Sequence, residues 1–337
     1  MTERRLTKEW EVSAFDRVNN EWTTAMNHAY EPVADDVRDL FITQAPPVRI
    51  TPSRAKPVNR DHIVIASIPD EQIGYRNIDG ELIPIHDERA MSVARMLLKD
   101  IKPEFIVAQG DTIDFAELSR FSPDSDHFQR TIQPSINRAS LWDAELASDN
   151  PNSRRLRLEG NHQRLSKFIL KNAMQLHNIK RANSDTAVLS MPFLLRADET
   201  GWEYISGYPA NEYRYADDLV FVHGSRVRSG GSTAELMSKT YPDRNVVFGH
   251  VHRQEMHTRT NHRGQYLTAA TFGTLARVDG AVPSFGNGVD QDNQIVQNYE
   301  NWQQGIGLIH DYGEGYKFEP IPIHNGRAFY NGKVYEA

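Results

Sequence analysis

Six short apolar runs constrain the fold of this chain more than any other feature. They are rich in β-branched residues, and each ends at a loop that carries glycine or a polar side chain. The runs cover residues 63–67, 105–108, 156–159, 219–222, 246–248 and 266–271. Runs of this length and composition predict buried strands. Between the first two, residues 88–99 repeat apolar positions at helical spacing, which predicts an amphipathic helix and an α/β class of fold.

The rest of the chain suggests three regions. Residues 1–57 are predicted to be an N-terminal helical appendage and linker, because Trp10, Val12, Phe15 and Trp22 fit a helical period and prolines follow. Residues 58–325 form the main domain, with cap-like insertions near 115–153 and 196–215. Further helices are predicted over 115–121, 136–146, 163–176 and 234–239, and strands over 306–312 and 317–323. Residues 326–337 are predicted to form a β-hairpin tail.

Composition excludes several kinds of chemistry. The chain of 337 residues has no cysteine, so thiol nucleophiles, disulfides and Cys-based metal sites are impossible. It has 13 histidines, so a transition metal would be held by imidazole, carboxylate and amide groups. No apolar run approaches the roughly 20 residues that span a membrane, and no signal-peptide pattern opens the chain, which predicts a cytoplasmic protein without a membrane partner.

The loops that follow five of the predicted strands carry the residues of chemical interest. Reactive groups of α/β folds collect beyond the carboxyl ends of strands. These loops read Asp70-Glu71-Gln72, Gly110-Asp111-x-x-Asp114, Gly160-Asn161-His162-Gln163, His223-Gly224 and Gly249-His250-x-His252. Two divalent ions about 3.5–4 Å apart need such an inventory, with one carboxylate to bridge them. Taken alone, each motif also fits a helix cap, a turn or a buried histidine pair.

The ordered set resembles the calcineurin-like metallophosphoesterase superfamily and is similar to its phage-borne members. That family's pattern is D-x-H, G-D-x-x-D, G-N-H-D/E, H and G-H-x-H. The resemblance covers about residues 63–274 and implies a four-layer αββα sandwich of two mixed β-sheets flanked by helices, with a dinuclear metal centre.

The resemblance also implies a role for each site residue. One metal ion would be held by Asp70, Gln72, Asp111 and His252. The other would be held by Asp111, Asn161, His223 and His250. His162 would be the catalytic residue that faces the leaving group, and Asp114 would orient a ligand imidazole.

The chain departs from the family pattern at two of these positions. Gln72 replaces an imidazole with an amide oxygen, and this harder ligand favours Mn²⁺ over Zn²⁺, Fe²⁺/Fe³⁺ or Co²⁺. Gln163 stands where the family usually has an acidic residue. Since Gln163 cannot ionise, it cannot help to hold His162 protonated.

Basic residues near these loops indicate an anionic substrate. Residues 153–181 contain eight basic residues and one acidic residue, although the whole chain has a net charge of −7. Arg164 in this stretch and Arg226 and Arg228 after His223 are candidate phosphate contacts. A solvated helix face is the alternative interpretation of the first stretch.

These features predict a dinuclear metal-dependent phosphoesterase. The first hypothesis is a phosphodiesterase that hydrolyses nucleotide or nucleic-acid phosphoesters, cyclic nucleotides included, by attack of a hydroxide that bridges the metal ions. The alternatives are a phosphomonoesterase, a 3′-end exonuclease, and a degenerate scaffold that only binds a partner. The N-terminal segment is a candidate contact for a homo-oligomer.

Overall fold

The structure is a computed structural model that divides into two compact units, Met1–Phe41 and Ile42–Ala337. It describes residues 4–16, 21–32, 60–118, 125–162, 165–180, 182–183, 185–283 and 299–337. Within these ranges, no helix combines the length and apolar character needed to cross a membrane.

The described residues of the first unit form two antiparallel strands, so the helical prediction for the N-terminal appendage is wrong there. Strand β1 (Arg4–Asp16) pairs antiparallel with β2 (Glu21–Pro32), and Phe15 lies opposite Trp22 in the register. Trp10 and Val12 are two residues apart, so they fit the period of a strand as well as that of a helix. The predicted linker lies outside the described residues.

The described residues of the second unit form fifteen further strands and six α-helices. The strands are β3 (Ile63–Ile68), β4 (Tyr75–Ile78), β5 (Glu81–Pro84), β6 (Phe105–Ala108), β7 (Arg154–Leu158), β8 (Trp202–Ile205), β9 (Glu212–Ala216), β10 (Leu219–Val222), β11 (Asn245–Phe248), β12 (Gln254–Thr260), β13 (Tyr266–Phe272), β14 (Gln304–Asp311), β15 (Tyr316–Ile323), β16 (Arg327–Tyr330) and β17 (Lys333–Glu336). The helices are α1 (Glu88–Ile101), α2 (Ile132–Asp149), α3 (Leu165–Asn172), α4 (Met191–Leu194), α5 (Ala197–Thr200) and α6 (Thr233–Thr240). Short 3-10 helices cover Ala116–Leu118, Ser125–Phe128, Met174–Leu176 and Ser229–Gly231.

Two mixed sheets form the centre of this unit. The first has the order β15-β14-β3-β6-β7-β8, in which β3, β6, β7 and β8 are parallel. The second has the order β12-β13-β11-β10-β9, in which β13, β11 and β10 are parallel. The carboxyl ends of β3, β6 and β7 therefore lie at one edge of the first sheet, and those of β10 and β11 at one edge of the second.

Side-chain alternation along the strands divides the core into layers. On β3, Ile65 packs with Phe221 of β10 between the two sheets, whereas its neighbours Val64 and Ala66 pack on the α1 and α2 side of the first sheet. On β10, Val220 faces α6 on the outer side of the second sheet. Because successive residues of a strand point to opposite faces, the order is helix, sheet, sheet, helix. The predicted four-layer αββα sandwich is confirmed.

The described residues of both predicted insertions contribute to the layers of the sandwich. Helix α2 connects the parallel strands β6 and β7, and its buried Ile136, Ala139 and Trp142 belong to the core beside the first sheet. Residues 196–215 supply α5, the edge strand β8 of the first sheet, and most of the edge strand β9 of the second. Edge strands are half exposed, so this segment lacked the continuous apolar run that marks the central strands. The C-terminal hairpin is present, and Asn331 and Gly332 both have positive φ.

Candidate metal centre

The predicted ligand residues all lie on loops that follow strands of the two sheets. Asp70 and Gln72 follow β3, Asp111 follows β6, and Asn161 follows β7. The remaining three come from the second sheet, with His223 after β10 and both His250 and His252 after β11. The structure brings all seven side chains together, although they span 183 residues of the chain from position 70 to position 252.

Asp111 and three nitrogen- or oxygen-bearing side chains form one part of the cluster. The Nε2 of His223 lies 3.2 Å from Asp111 Oδ2 and 2.9 Å from Asn161 Oδ1. One ligand atom from each of Asp111, His223 and His250 lies within 4.8 Å of the others. The Nδ1 of His223 lies 2.8 Å from the carbonyl oxygen of Gln109 and donates to it, so Nε2 is the nitrogen available to a cation once it has lost its proton.

Asp70, Gln72 and His252 form the other part. The His252 Nε2 lies 3.7 Å from Asp70 Oδ1 and 3.3 Å from the amide nitrogen of Gln72, which is also 3.4 Å from Asp111 Oδ2. The Gln72 amide oxygen is buried and has no hydrogen-bond partner within the described residues. If the Gln72 amide is flipped, its oxygen faces Asp111 Oδ2 and His252 Nε2. Three atoms that offer lone pairs to one another are satisfied by a cation between them. The donor set therefore fits a divalent cation.

The backbone of the cluster is held in an uncommon conformation. Gln72, Asp111, His250 and His252 have φ of 49°, 49°, 73° and 55°, which places four non-glycine residues in the left-handed region. Such residues cost roughly 1–3 kcal/mol each and often cluster at functional sites, and these are four of the thirteen non-glycine residues with positive φ in the described part of the chain. The strained positions coincide with proposed ligands, which supports a functional reason for the conformation.

Two glycines provide the space in which the carboxylates sit. A Cβ at Gly160 would lie 2.1 Å from Asp111 Oδ1, and a Cβ at Gly249 would lie 2.7 Å from Asp70 Oδ2. Any larger residue at either position would displace a carboxylate of the cluster.

Burial and neighbouring charges shift the pKa values of three side chains of the cluster, Asp111, His223 and His250. Burial favours a raised pKa for Asp111, but the charges and hydrogen bonds of His223 and His162 outweigh burial and lower its pKa well below the usual range. Burial likewise favours a low pKa for His223, but attraction to Asp111 raises it to about 9. The pKa of His250 falls to about 4 because the ring is buried and faces the His223 charge. His250 is therefore neutral at pH 7, with a lone pair available.

His162 lies beside this cluster and is partly accessible to solvent. Its backbone N–H donates to Asp111 Oδ1 at 2.8 Å, and its Nε2 lies 3.9 Å from Asp111 Oδ2. Its Nδ1 lies 3.0 Å from the carbonyl oxygen of Asp114 and 2.9 Å from a carboxylate oxygen of the same residue. Asp114 thus orients His162 itself and makes no such contact with a ligand imidazole in the described residues.

The predicted substrate contacts are less closely tied to the cluster. Gln163 and Arg164 lie outside the described residues. Arg226 and Arg228 are exposed on the loop between β10 and α6. Part of the predicted basic stretch is neutralised internally, since Arg154 pairs with Glu203 at 2.7 Å and Arg157 is buried against Glu71 and Asp143. Lys167 and Lys171 on α3 remain exposed.

Sequence reasoning missed three contributors to the site. Gln109 orients His223 through its carbonyl oxygen, which any residue type supplies, so no sequence signal existed. Tyr208 and Trp302 make edge contacts with His223 and His252, at ring-centroid distances of 5.5 and 4.3 Å. Trp302 lies two residues before β14.

Comparison with known proteins gives distant relatives. No family model matches the chain. It is similar to the Gene 54 protein of Mycobacterium phage D29, with 26% identity over 271 residues, covering 75% of this chain and 95% of that protein. The Gene 54 protein of Mycobacterium phage L5 is 26% identical over 267 residues, with coverage of 75% and 95%. A conserved uncharacterized protein of Streptococcus pneumoniae TIGR4, described as a predicted phosphoesterase, aligns with a TM-score of 0.32 and 11% identity over 82% of this chain and 98% of its own.

Proposed function

We propose that this chain is a metal-dependent phosphoesterase of the calcineurin-like type, and that it hydrolyses phosphodiesters of nucleotides or nucleic acids. The observation that carries the proposal is the position of Asp111. Its Oδ2 lies 3.2 Å from His223 Nε2 and 3.4 Å from the amide nitrogen of Gln72, so a single ionised oxygen adjoins both parts of the cluster. A carboxylate shared between two ligand sets is the arrangement of a dinuclear hydrolytic centre.

The proposed division of the ligands is the one that the resemblance implies, and these contacts support it. Asp70, Gln72, Asp111 and His252 would hold one cation, and Asp111, Asn161, His223 and His250 would hold the other. The shell of amide, carboxylate and imidazole groups favours Mn²⁺, with Zn²⁺, iron and Co²⁺ as alternatives. When bound, such ions neutralise phosphate oxygens and lower the pKa of an attacking water.

The protein's own groups would then orient the substrate and move a proton. His162 has its Nδ1 fixed at Asp114 and its Nε2 on the side of Asp111, with a side chain that is 19% exposed. A substrate entering from solvent would meet this nitrogen, which can stabilise or protonate the leaving oxygen. Arg226, Arg228 and the exposed lysines of α3 would attract the anionic substrate.

The decisive experiment combines metal analysis with a substrate panel. The purified chain is expected to bind about two Mn²⁺ ions and to hydrolyse p-nitrophenyl diesters, cyclic nucleotides or single-stranded oligonucleotides in their presence. Asp111→Asn should abolish the activity, whereas Glu314→Gln, at an exposed carboxylate outside the cluster, should retain it. Wild-type hydrolysis by Asp111→Asn would refute the proposed centre. A protein that binds no metal would instead be a scaffold.

A further inference from the structure

A second charged cluster lies directly behind the proposed metal centre. Its central residue is Arg157 on β7, whose side chain is 1% exposed. The Arg157 Nη1 donates to Glu71 Oε1 at 3.0 Å and to the hydroxyl of Thr112, and its Nη2 donates to Asp143 of α2. The guanidinium also lies 4.7 Å from the ring centroid of Trp202. Removing such a charge from water costs free energy, so a buried charge is expected to have either a full set of partners or a function.

Two of these partners are sequence neighbours of proposed ligands. Glu71 lies between Asp70 and Gln72, and Thr112 directly follows Asp111. Glu71 is fully buried and turned toward Arg157, where it also accepts a hydrogen bond from the Trp142 indole at 3.3 Å. The side chains on either side of it contact the metal cluster. One loop therefore presents ligands on one side and is attached to Arg157 on the other.

The same two loops are joined through their backbones. The N–H of Gln72 donates to the Asp111 carbonyl at 2.9 Å, and the N–H of Ile73 donates to the Thr112 carbonyl at 2.7 Å. These bonds fix how the loop backbones lie side by side. The Arg157 guanidinium contacts a side chain of each loop with a rigid planar group, which adds a restraint on the orientation of the two loops.

We propose that Arg157 is a positioning residue, which holds the Asp70–Gln72 loop and the Asp111–Thr112 loop in the orientation that brings their ligand atoms onto the same cation. This inference rests on the proposed function. Groups that orient metal ligands typically change metal affinity by about 10–100-fold when they are removed. Arg157 contacts no residue of the His223 and His250 loops in the described hydrogen bonds and ion pairs, so its effect should fall unequally on the two ions.

An unequal loss of affinity for the two ions distinguishes a positioning role of Arg157 from a purely structural one. Glu71→Met removes the acceptor for Arg157 but leaves Asp143 as its counter-charge, and Thr112→Val removes the hydroxyl with little change of shape. Glu71→Gln keeps an acceptor oxygen and serves as the conservative rescue. Asp149→Asn is the matched control, because it breaks the ion pair with Arg95 between α1 and α2 without touching a ligand loop.

The test measures Mn²⁺ binding to the full chain by calorimetry and by electron paramagnetic resonance, together with thermal unfolding of the metal-free protein. Glu71→Met and Thr112→Val should weaken one of the two ions by about 10–100-fold and convert the exchange-coupled signal into that of an isolated ion. The ion held by Asn161, His223 and His250 should lose less affinity, because the bridging Asp111 is its only ligand on a loop that Arg157 contacts. Glu71→Gln should recover much of the loss. Asp149→Asn should lower the unfolding temperature alone.

Two results would overturn the inference in different ways. If Glu71→Met and Thr112→Val lower the unfolding temperature but bind both ions as tightly as the wild type, Arg157 is structural and the proposed function stands. If the wild-type chain itself binds no divalent ion, the proposed function fails, and the positioning role fails with it.

Discussion

The backbone N–H of His250 donates to both carboxylate oxygens of Asp70, at 3.1 and 2.9 Å. The two residues lie 180 positions apart and follow strands of different sheets, β11 and β3. This bond joins the carboxyl ends of the two sheets at the proposed centre. It also brings the backbone of Gly249 close to the Asp70 carboxylate, which leads to the first prediction.

Gly249→Ala should remove most activity without unfolding the protein. The added methyl group would lie 2.7 Å from Asp70 Oδ2 and 3.1 Å from Gln109 Cβ, so the Asp70 carboxylate must move. A displacement of about 1 Å at a reacting site costs on the order of 100-fold in rate. Diesterase kinetics with Mn²⁺ would measure the loss. Gly315→Ala is the control, since a Cβ there meets nothing within 4 Å, and equal activity of both variants would contradict the prediction.

Metal uptake should release a proton from His223. In the metal-free chain the pKa of His223 is raised to about 9, because attraction to Asp111 and Asp70 outweighs the effect of burial. The imidazole is therefore charged at pH 7.5 and must lose its proton to bind a cation. Calorimetry at pH 7.5 in buffers of different ionisation enthalpy should report about one proton released per chain.

The same pKa shift predicts a pH dependence of the metal-free protein. A pKa raised from 6.5 to about 9 contributes stability that is complete below pH 6.5 and is lost as the pH rises through 9. Urea unfolding in the presence of a chelator should follow this course. If metal binding releases no proton at pH 7.5, His223 is already neutral in the metal-free protein, and the attraction to Asp111 and Asp70 does not raise its pKa.

Gln72→His should shift metal preference from Mn²⁺ toward Zn²⁺. The substitution introduces the imidazole that calcineurin-like metallophosphoesterases usually have at this position of the motif. It replaces a hard amide oxygen with a softer nitrogen. Competition dialysis against equal concentrations of the two ions would measure the ratio bound. His252 already lies 3.3 Å from the Gln72 amide, so the new ring would join an existing ligand set. An unchanged ratio would place Gln72 outside the coordination shell.

The exposed lysines of α3 should matter for a polynucleotide and not for a small substrate. If Lys167 and Lys171 each contact one phosphate of a single strand, the double alanine variant should reduce the dependence of log affinity on log salt by about 1.4. Fluorescence anisotropy with a labelled oligonucleotide and Asp111→Asn protein as the common background would measure this slope. A Lys99→Ala/Lys333→Ala variant carries the same charge change on other surfaces. Identical slopes for the two variants would exclude α3 as a strand contact.

Glu88 should stabilise the fold at neutral pH but not in acid. Burial favours a raised pKa for Glu88, but the two 2.7 Å hydrogen bonds from Arg138 and one from His86 lower its pKa well below the usual range. Its contribution is therefore present above pH 4.5 and is lost as the pH falls. Because Glu88 is half exposed, Glu88→Gln should cost only about 1 kcal/mol at pH 7. The difference in urea unfolding should shrink below pH 4, while Glu314→Gln should follow the wild type throughout.

The central strands and the ligand loops could be predicted from the sequence for the same physical reason. A strand buried on both faces is an uninterrupted apolar run, and the end of that run marks the loop where a polar side chain can function. Strand β6 was predicted at its observed limits, Phe105–Ala108, and Asp111 follows it as expected. The N-terminal hairpin and the edge strand β9 were not predicted, because half-exposed strands carry weaker patterns.

Other features of the site depend on contacts that no local pattern encodes. Arg157 belongs to the basic stretch that indicates an anionic substrate, yet it is buried between Glu71 and Asp143, which are 86 and 14 residues away. Alternation along β7 places every second residue inside, but only the tertiary structure supplies its partners. The positive φ of Gln72, Asp111, His250 and His252 likewise has no signal in residue type.

The division of the ligands between two sheets has a consequence for folding. Asp111 follows a strand of the first sheet and His223 a strand of the second, so neither sheet alone carries the complete coordination set. Contacts between residues so distant in sequence form late, because chain entropy must first be overcome. A chain emerging from the ribosome would thus have no high-affinity site for metal until the second sheet has docked. Metal capture by the proposed centre would therefore be a late event that reports completed folding.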